Sequence, residues 1–150
     1  MRLPKQVLVI PYIIENNNVK YVVFKRKDRE VWQFIAGGVE DFDKSVLDGA
    51  KREAYEEANL SNDLNYIALE EYTKIPVKNV VKDYIWGKDI FFVEEFAFAV
   101  NIGNEAISIS NEHSEFKYLN YEDAMKILRY DSNKSALWEL NEKIKFGIIK

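Results

Sequence analysis

Two consecutive glycines, Gly37 and Gly38, close an apolar run and lead through Val39-Glu40-Asp41-Phe42-Asp43 toward Arg52-Glu53-Ala54-Tyr55-Glu56-Glu57-Ala58-Asn59-Leu60. The second segment reads as helix, and each helical residue turns by about 100°, so Glu53, Glu56 and Glu57 fall within an arc of roughly 100°. Carboxylates that close repel one another unless a cation lies between them. A solvated acidic face is the ordinary alternative for two glutamates on a helix. The glycine turn that precedes them, itself following a strand-like run, points instead to a loop-helix unit that holds a hard divalent ion, Mg²⁺ or Mn²⁺, against a phosphate substrate.

These residues resemble the signature of the Nudix hydrolases, which runs glycine, five residues, glutamate, seven residues, then Arg-Glu-apolar-any-Glu-Glu-any-Gly-apolar. Gly38 takes the first glycine, and Arg52, Glu53, Ala54, Glu56, Glu57 and Leu60 follow in order. Two positions depart. Asn59 replaces the late glycine, a mild change because asparagine tolerates the left-handed backbone common at a helix end. Lys44 replaces the first glutamate, which puts a positive group near the site, with Asp41 and Asp43 close by in sequence to offset it. The resemblance implies that Arg52 orients the catalytic glutamates. It also implies that the metal is held by Glu53, Glu56 and Glu57 with a backbone carbonyl of Gly37 or Gly38.

The implied fold is a Nudix-type α/β/α sandwich with a mixed β-sheet, and the implied reaction is hydrolysis of a phosphoanhydride. In this family the general base is often a glutamate outside the signature. Glu94-Glu95 opens the apolar run Phe96-Ala97-Phe98-Ala99-Val100, and strand alternation lets only one of the two face the site. Glu94 is favoured slightly over Glu95 as the base, with Glu112 the second choice and Glu56 a further alternative. His113, the single histidine, reads as structural.

The likeness extends to Phe24-Lys25-Arg26-Lys27-Asp28, Val31-Trp32-Gln33-Phe34, Glu112-His113 and Ser132-Asn133-Lys134. Their order is similar to the branch that contains dATP pyrophosphohydrolases and dihydroneopterin triphosphate pyrophosphatases. On that reading Trp32 or Phe34 stacks on a base or pterin ring, although Trp32-Gln33 also reads as a packed strand entrance. Lys25, Arg26, Lys27 and Arg29 form a solvated loop or a path for a triphosphate tail. Arg26 is the candidate phosphate ligand, since a guanidinium fork suits phosphate geometry. A nucleotide-binding module that has lost turnover through Lys44 is the competing reading. A hydrolase of another nucleoside diphosphate derivative, such as ADP-ribose, is a further one.

Composition fits one domain over residues 1–150, with 47% hydrophobic residues to build a core and 31% charged. The net charge of −4 shows no basic footprint for nucleic acid. Cysteine is absent, which excludes disulfides and thiolate chemistry. The start of the chain lacks a signal-peptide pattern and no run is of membrane-spanning length, so a cytoplasmic protein with a small nucleotide-like substrate is expected. A homodimer is the assembly that the resemblance suggests.

Strands are expected over residues 6–14, with Pro11 marking an edge or bulge, and over 19–25 after an Asn16-Asn17-Asn18 turn. Trp32 to Ile35 forms an apolar entry to the glycines. Ser45 or Asp43 caps a helix whose Val46, Leu47, Ala50, Ala54 and Ala58 face the core. Further strands are expected at 64–72, 77–85, 90–100, 107–109 and 116–119, and helices at 121–129 and 135–144.

Overall fold

The computed structural model describes residues 1–150. Its elements follow in the order β1 (Arg2–Glu15), β2 (Asn18–Arg26), β3 (Trp32–Gln33), β4 (Ile35–Glu40), α1 (Val46–Ala58), β5 (Tyr66–Pro76), β6 (Phe92–Asn101), β7 (His113–Leu119), α2 (Tyr121–Ile127) and α3 (Asp131–Lys145). All seven strands join one mixed sheet, in which β1 runs parallel to β6 and the other pairs are antiparallel. Strand β1 is its spine. Val7 and Val9 point into one buried cluster with Ala50, Ala54 and Ala58 of α1. The alternate residues Leu8, Ile10 and Tyr12 point into a second cluster with Ala136, Leu137 and Leu140 of α3. A strand covered on both faces has no polar face to alternate with, which is why its sequence reads as an unbroken apolar run. The expected α/β sandwich is therefore the architecture observed.

Pro11 does not mark an edge. Around it β1 changes partner on one side, since Val9 pairs with Ile35 of β4 and Tyr12 pairs with Tyr21 of β2. A residue without an N–H is tolerated where that ladder is interrupted. The β1–β2 turn uses Asn16 and Asn17, both with positive φ (50° and 67°), as a tight hairpin requires. Helix α1 starts at Ser45, whose hydroxyl accepts the Asp48 N–H at 3.1 Å. It ends at Asn59 with φ 58°, the left-handed cap that the sequence places there. Its three buried alanines let the helix lie close on the sheet.

Two expected strands do not form. The segment expected as a strand over 77–85 makes a single 3-10 turn at Val77–Asn79 and then an irregular loop, because Lys78, Asn79, Lys82 and Asp83 interrupt any apolar alternation. Trp86 pins this loop to the start of β1, its Nε1–H donating to the Arg2 carbonyl at 2.7 Å. Residues 107–109 also stay outside the sheet. Ile107 and Ile109 pack on the α1-side core, while the N–H groups of Ser108 and Ser110 donate to the carbonyls of Ala58 and Glu57, each at 3.1 Å. This tie holds the segment leading to β7 against the end of α1. No helix of the protein is long and apolar enough to cross a membrane.

Strand β5 is the free edge beside β6, and its ladder is irregular between Ala68 and Tyr72. There the Glu139 carboxylate of α3 accepts the N–H groups of Glu70 (2.6 Å) and Glu71 (2.8 Å), and Lys143 lies 2.7 Å from it. Burial, the largest single influence, pushes the Glu139 carboxyl up, but these amides and Lys143 hold it below the ordinary 4.5. A depressed value means that the contribution is present above about pH 4.5 and is lost as pH falls through the lower folded-state value. Glu139→Ala should lower unfolding free energy by about 1–3 kcal/mol at pH 7. In urea unfolding, the gap from wild type should close in acid, and a gap independent of pH would contradict this account.

Candidate active site

Arg52, nearly two turns before the end of α1, ties the helix to the loop that follows β4. Its Nε and Nη2 each lie 3.0 Å from a different oxygen of Asp43, and Nη2 also donates to the Gly38 carbonyl at 2.8 Å. The Nη1 group reaches Glu53 and Glu56, both at 3.1 Å. Asp43 accepts a further bond from the Glu40 N–H at 2.8 Å. The Arg52 hydrogen bonds hold the Asp43 carboxyl below its ordinary range against the opposing effect of burial. Asp43 thus serves as the partner of Arg52, whereas Ser45 caps the helix. Lys44 is exposed and forms no ion pair.

Glu53 and Glu57 turn from α1 into a cleft of about 1040 Å³. The space beside the Gly37 Cα is filled by the Glu53 carboxylate, so the glycine there is a requirement of close approach. Glu57 is 3% exposed, and its Oε1 lies 3.6 Å from His113 Nε2 while Oε2 has no partner. Burial raises the Glu57 carboxyl well above its usual range, and the Glu53 carboxyl beside it raises it further. The carboxyl of Glu53 is also raised, chiefly by burial. His113 is held below its ordinary value by burial and then by Arg26, so it faces Glu57 as a neutral ring with an unpartnered Nδ1.

Glu57, buried with an orphaned oxygen, and the partly buried Glu53 beside it fit a divalent cation. No three acidic or imidazole side chains converge on one point.

The cleft walls supply the opposite charge. Arg26, Lys27 and Arg29 line one wall at the β2–β3 connection, and Arg2 lines the other. Arg26 is held bidentately by Asp28 at 2.9 and 2.7 Å, and Arg29 donates to the Tyr130 hydroxyl at 3.1 Å. Arg2 occupies the space beside Gly38, donates to Gln6 Oε1 at 3.0 Å and keeps a buried, unpartnered Nε. Gln6 in turn donates to Glu95 Oε2 at 2.7 Å. Glu112 also lines the cleft, with the Lys27 N–H bound to its carbonyl at 3.0 Å, and its charge is felt by Glu57. A second recess of about 580 Å³ near the β1–β2 turn contains no unpartnered buried side-chain atom.

Of the residues singled out in the sequence, Gly37, Gly38, Glu53, Glu57 and Arg26 line the cleft together, with Arg52 behind them. Four are placed elsewhere. Glu56 is half-exposed on the rim, bound to Arg52. Glu94 faces away, accepting the Tyr72 hydroxyl at 2.7 Å, because the β6 register puts Glu95 on the cleft side. Phe34 is fully buried in the α3-side core and has no surface left for a ligand. Trp32 packs outside the cleft, with Lys117 4.9 Å from its ring centroid, and Gln33 takes the inward position. Arg2 and Gln6 carry no local sequence signal. Glu95 could be recognised from Ala97 and Ala99, which share its face, rather than from the bulkier Phe96 and Phe98.

Residues 5–139 match the NUDIX domain family. The chain belongs to the Nudix hydrolases. Divalent metal ions serve this family generally. A Listeria monocytogenes protein described as a Nudix hydrolase is 39% identical, with a TM-score of 0.88 and 99% of both chains covered. A dihydroneopterin triphosphate diphosphatase of Haemophilus influenzae is 24% identical over 135 residues, covering 89% of this chain and 84% of that protein. The dihydroneopterin triphosphate pyrophosphohydrolase of E. coli shares the fold, with a TM-score of 0.73 at 20% identity over 93% of this chain and 97% of that one.

The close approach at Gly37 makes the hydrolase sensitive at one atom. A Cβ there meets the flexible end of Glu53 rather than backbone, so the fold can absorb it while the carboxylate cannot keep its position. Gly37→Ala should retain a native circular dichroism spectrum and melting transition but lose at least about tenfold in kcat, equivalent to about 1.4 kcal/mol of barrier. Full activity would show that Glu53 need not occupy this place.

Proposed function

We propose that this Nudix hydrolase is a Mg²⁺- or Mn²⁺-dependent pyrophosphohydrolase of a nucleoside triphosphate-like substrate, with dATP or dihydroneopterin triphosphate favoured. It consumes one water and yields a monophosphate and pyrophosphate. The observation that carries the reading is the Glu53–Glu57 pair, with Glu57 buried and its Oε2 unpartnered, facing a cleft bordered by Arg2, Arg26, Lys27 and Arg29. Resemblance to the two dihydroneopterin triphosphate enzymes supports the substrate choice. We take the protein to act as one catalytic domain in the cytoplasm, on small nucleotide-like molecules rather than nucleic acid, with a homodimer as its assembly.

Glu53, Glu57 and the Gly37 carbonyl would hold the ion, with Glu56 joining by leaving Arg52. A bound divalent cation neutralises charge on the phosphate oxygens and lowers the pKa of water. Arg52 fixes Glu53 against the helix. Arg2 and Arg26 orient the phosphate chain, Arg26 by exchanging Asp28 for phosphate oxygens. Glu112 is the general base that takes the proton of the attacking water, since it lies in the cleft near Glu57 and Glu94 does not. Leaving-group charge develops beside the basic wall, where it is most stabilised.

A screen of dATP, the other nucleoside triphosphates, dihydroneopterin triphosphate and ADP-ribose should give Mg²⁺-dependent product release that chelation abolishes. Silence across the panel, with metal binding established by titration, would favour the binding module. Glu57→Gln should reduce kcat by two or more orders of magnitude without loss of fold, and normal turnover would remove Glu57 from the site. Because Lys44 is exposed and Asp43 is the partner of Arg52, Lys44→Glu should change kcat/KM by less than about threefold, a difference under about 1 kcal/mol. A sharp rise would show that Lys44 suppresses the site.

A further inference from the structure

Glu95 is a buried group that the proposed chemistry leaves unused. It is 4% exposed, on the cleft side of β6, with Oε2 held by the Gln6 amide at 2.7 Å and Oε1 without a partner. Burial pushes its carboxyl up, opposed by Gln6 and by nearby Ser132, whose hydroxyl does not reach hydrogen-bonding geometry on Oε1. The cleft lining also carries the uncharged Gln6, Gln33, Thr73, Ser132 and Asn133, and the nearby charge that acts on Glu95 is that of another carboxylate, Glu71. Gln6 pairs with Gly38 on one side and Glu95 on the other, so Glu95 stands two strands from the glycine pair. At a strand spacing of about 4.8 Å that is roughly 10 Å across the sheet.

A buried carboxylate with a free oxygen needs a donor, and its placement beside a polyphosphate would be repulsive. The cleft therefore has two ends of different chemistry. Phosphates suit the end with Arg2 and Arg26, and a neutral ring carrying N–H donors suits the end with Glu95. Gln6 is bonded to both Arg2 and Glu95, which fixes the carboxylate before any ligand arrives.

We infer that Glu95 is a specificity residue that accepts the adjacent ring N–H and exocyclic amino group of a 2-amino-4-oxopyrimidine edge, the edge shared by guanine and pterins. A carboxylate accepts at every lone pair, so it matches two parallel donors, whereas adenine offers an acceptor nitrogen beside its amino group. This assignment rests on the proposed use of the cleft for a nucleotide-like substrate. Within that reading it favours the pterin or a guanine nucleotide over dATP.

Binding of GMP, IMP, AMP and neopterin to the full chain in Mg²⁺, measured by titration calorimetry, tests the assignment without turnover. GMP should bind at least tenfold more tightly than IMP, which differs only by the 2-amino group, and AMP should bind no better than IMP. Neopterin binding alongside that preference for GMP would identify the pterin form of the edge, and GMP binding alone the guanine form. Glu95→Leu should collapse the GMP-to-IMP ratio to below threefold; if that variant fails to melt cooperatively, the wild-type comparison decides alone. Equal wild-type affinities for GMP and IMP, or no binding of any of the four, would overturn the assignment. Triphosphate turnover with equal GMP and IMP affinities would leave the hydrolase reading standing. A preserved GMP preference without turnover of any triphosphate would do the reverse.

Discussion

The five hydrogen bonds of Arg52 hold the rest of the site in place. They join a helix, a strand end and the loop between them at one guanidinium, using the fork geometry that lysine cannot copy. With Asp43 and the Gly38 carbonyl fixed, the β4–α1 connection has little freedom. Glu53 then lies against Gly37, in space that exists only because that residue has no side chain. The packing of α1 through Ala50, Ala54 and Ala58 sets the depth at which these carboxylates meet the cleft.

Charge in the cleft follows from the division of the sheet. Around Pro11, β1 exchanges β4 for β2, and the ends of those strands carry different loads. The β2–β3 connection brings Arg26, Lys27 and Arg29, β4 brings the glycines and β6 brings Glu95. Segment 108–110, tied by backbone bonds to the end of α1, delivers Glu112 and His113. Buried carboxylates raised by desolvation are unfavourable in isolation, and groups perturbed in this way cluster at functional sites.

Much of this was legible from local pattern. The alternation of β1, the Asn16–Asn17 turn, the Ser45 and Asn59 caps and the alanine stripe of α1 all follow from residues near one another in the chain. So did the shared direction of Glu53 and Glu57, because helical spacing fixes it, whereas Gly37 and Gly38 lie on β4. Trp32 and Phe34 were legible only as apolar residues near the glycines. Whether an aromatic ring faces a cleft or a core depends on what packs across from it, and α3 covers Phe34.

Sequence alone pointed to the family and to the helix that carries the carboxylates, since both rest on residue spacing within one stretch of the chain. Tertiary structure alone decided that Glu95 rather than Glu94 faces the cleft, that Asp43 is the partner of Arg52, and that Arg2 and Gln6 belong to the site. Those outcomes depend on inter-strand register and on the approach of segments distant in the chain. A one-residue shift of register would turn Glu94 inward with no change in sequence.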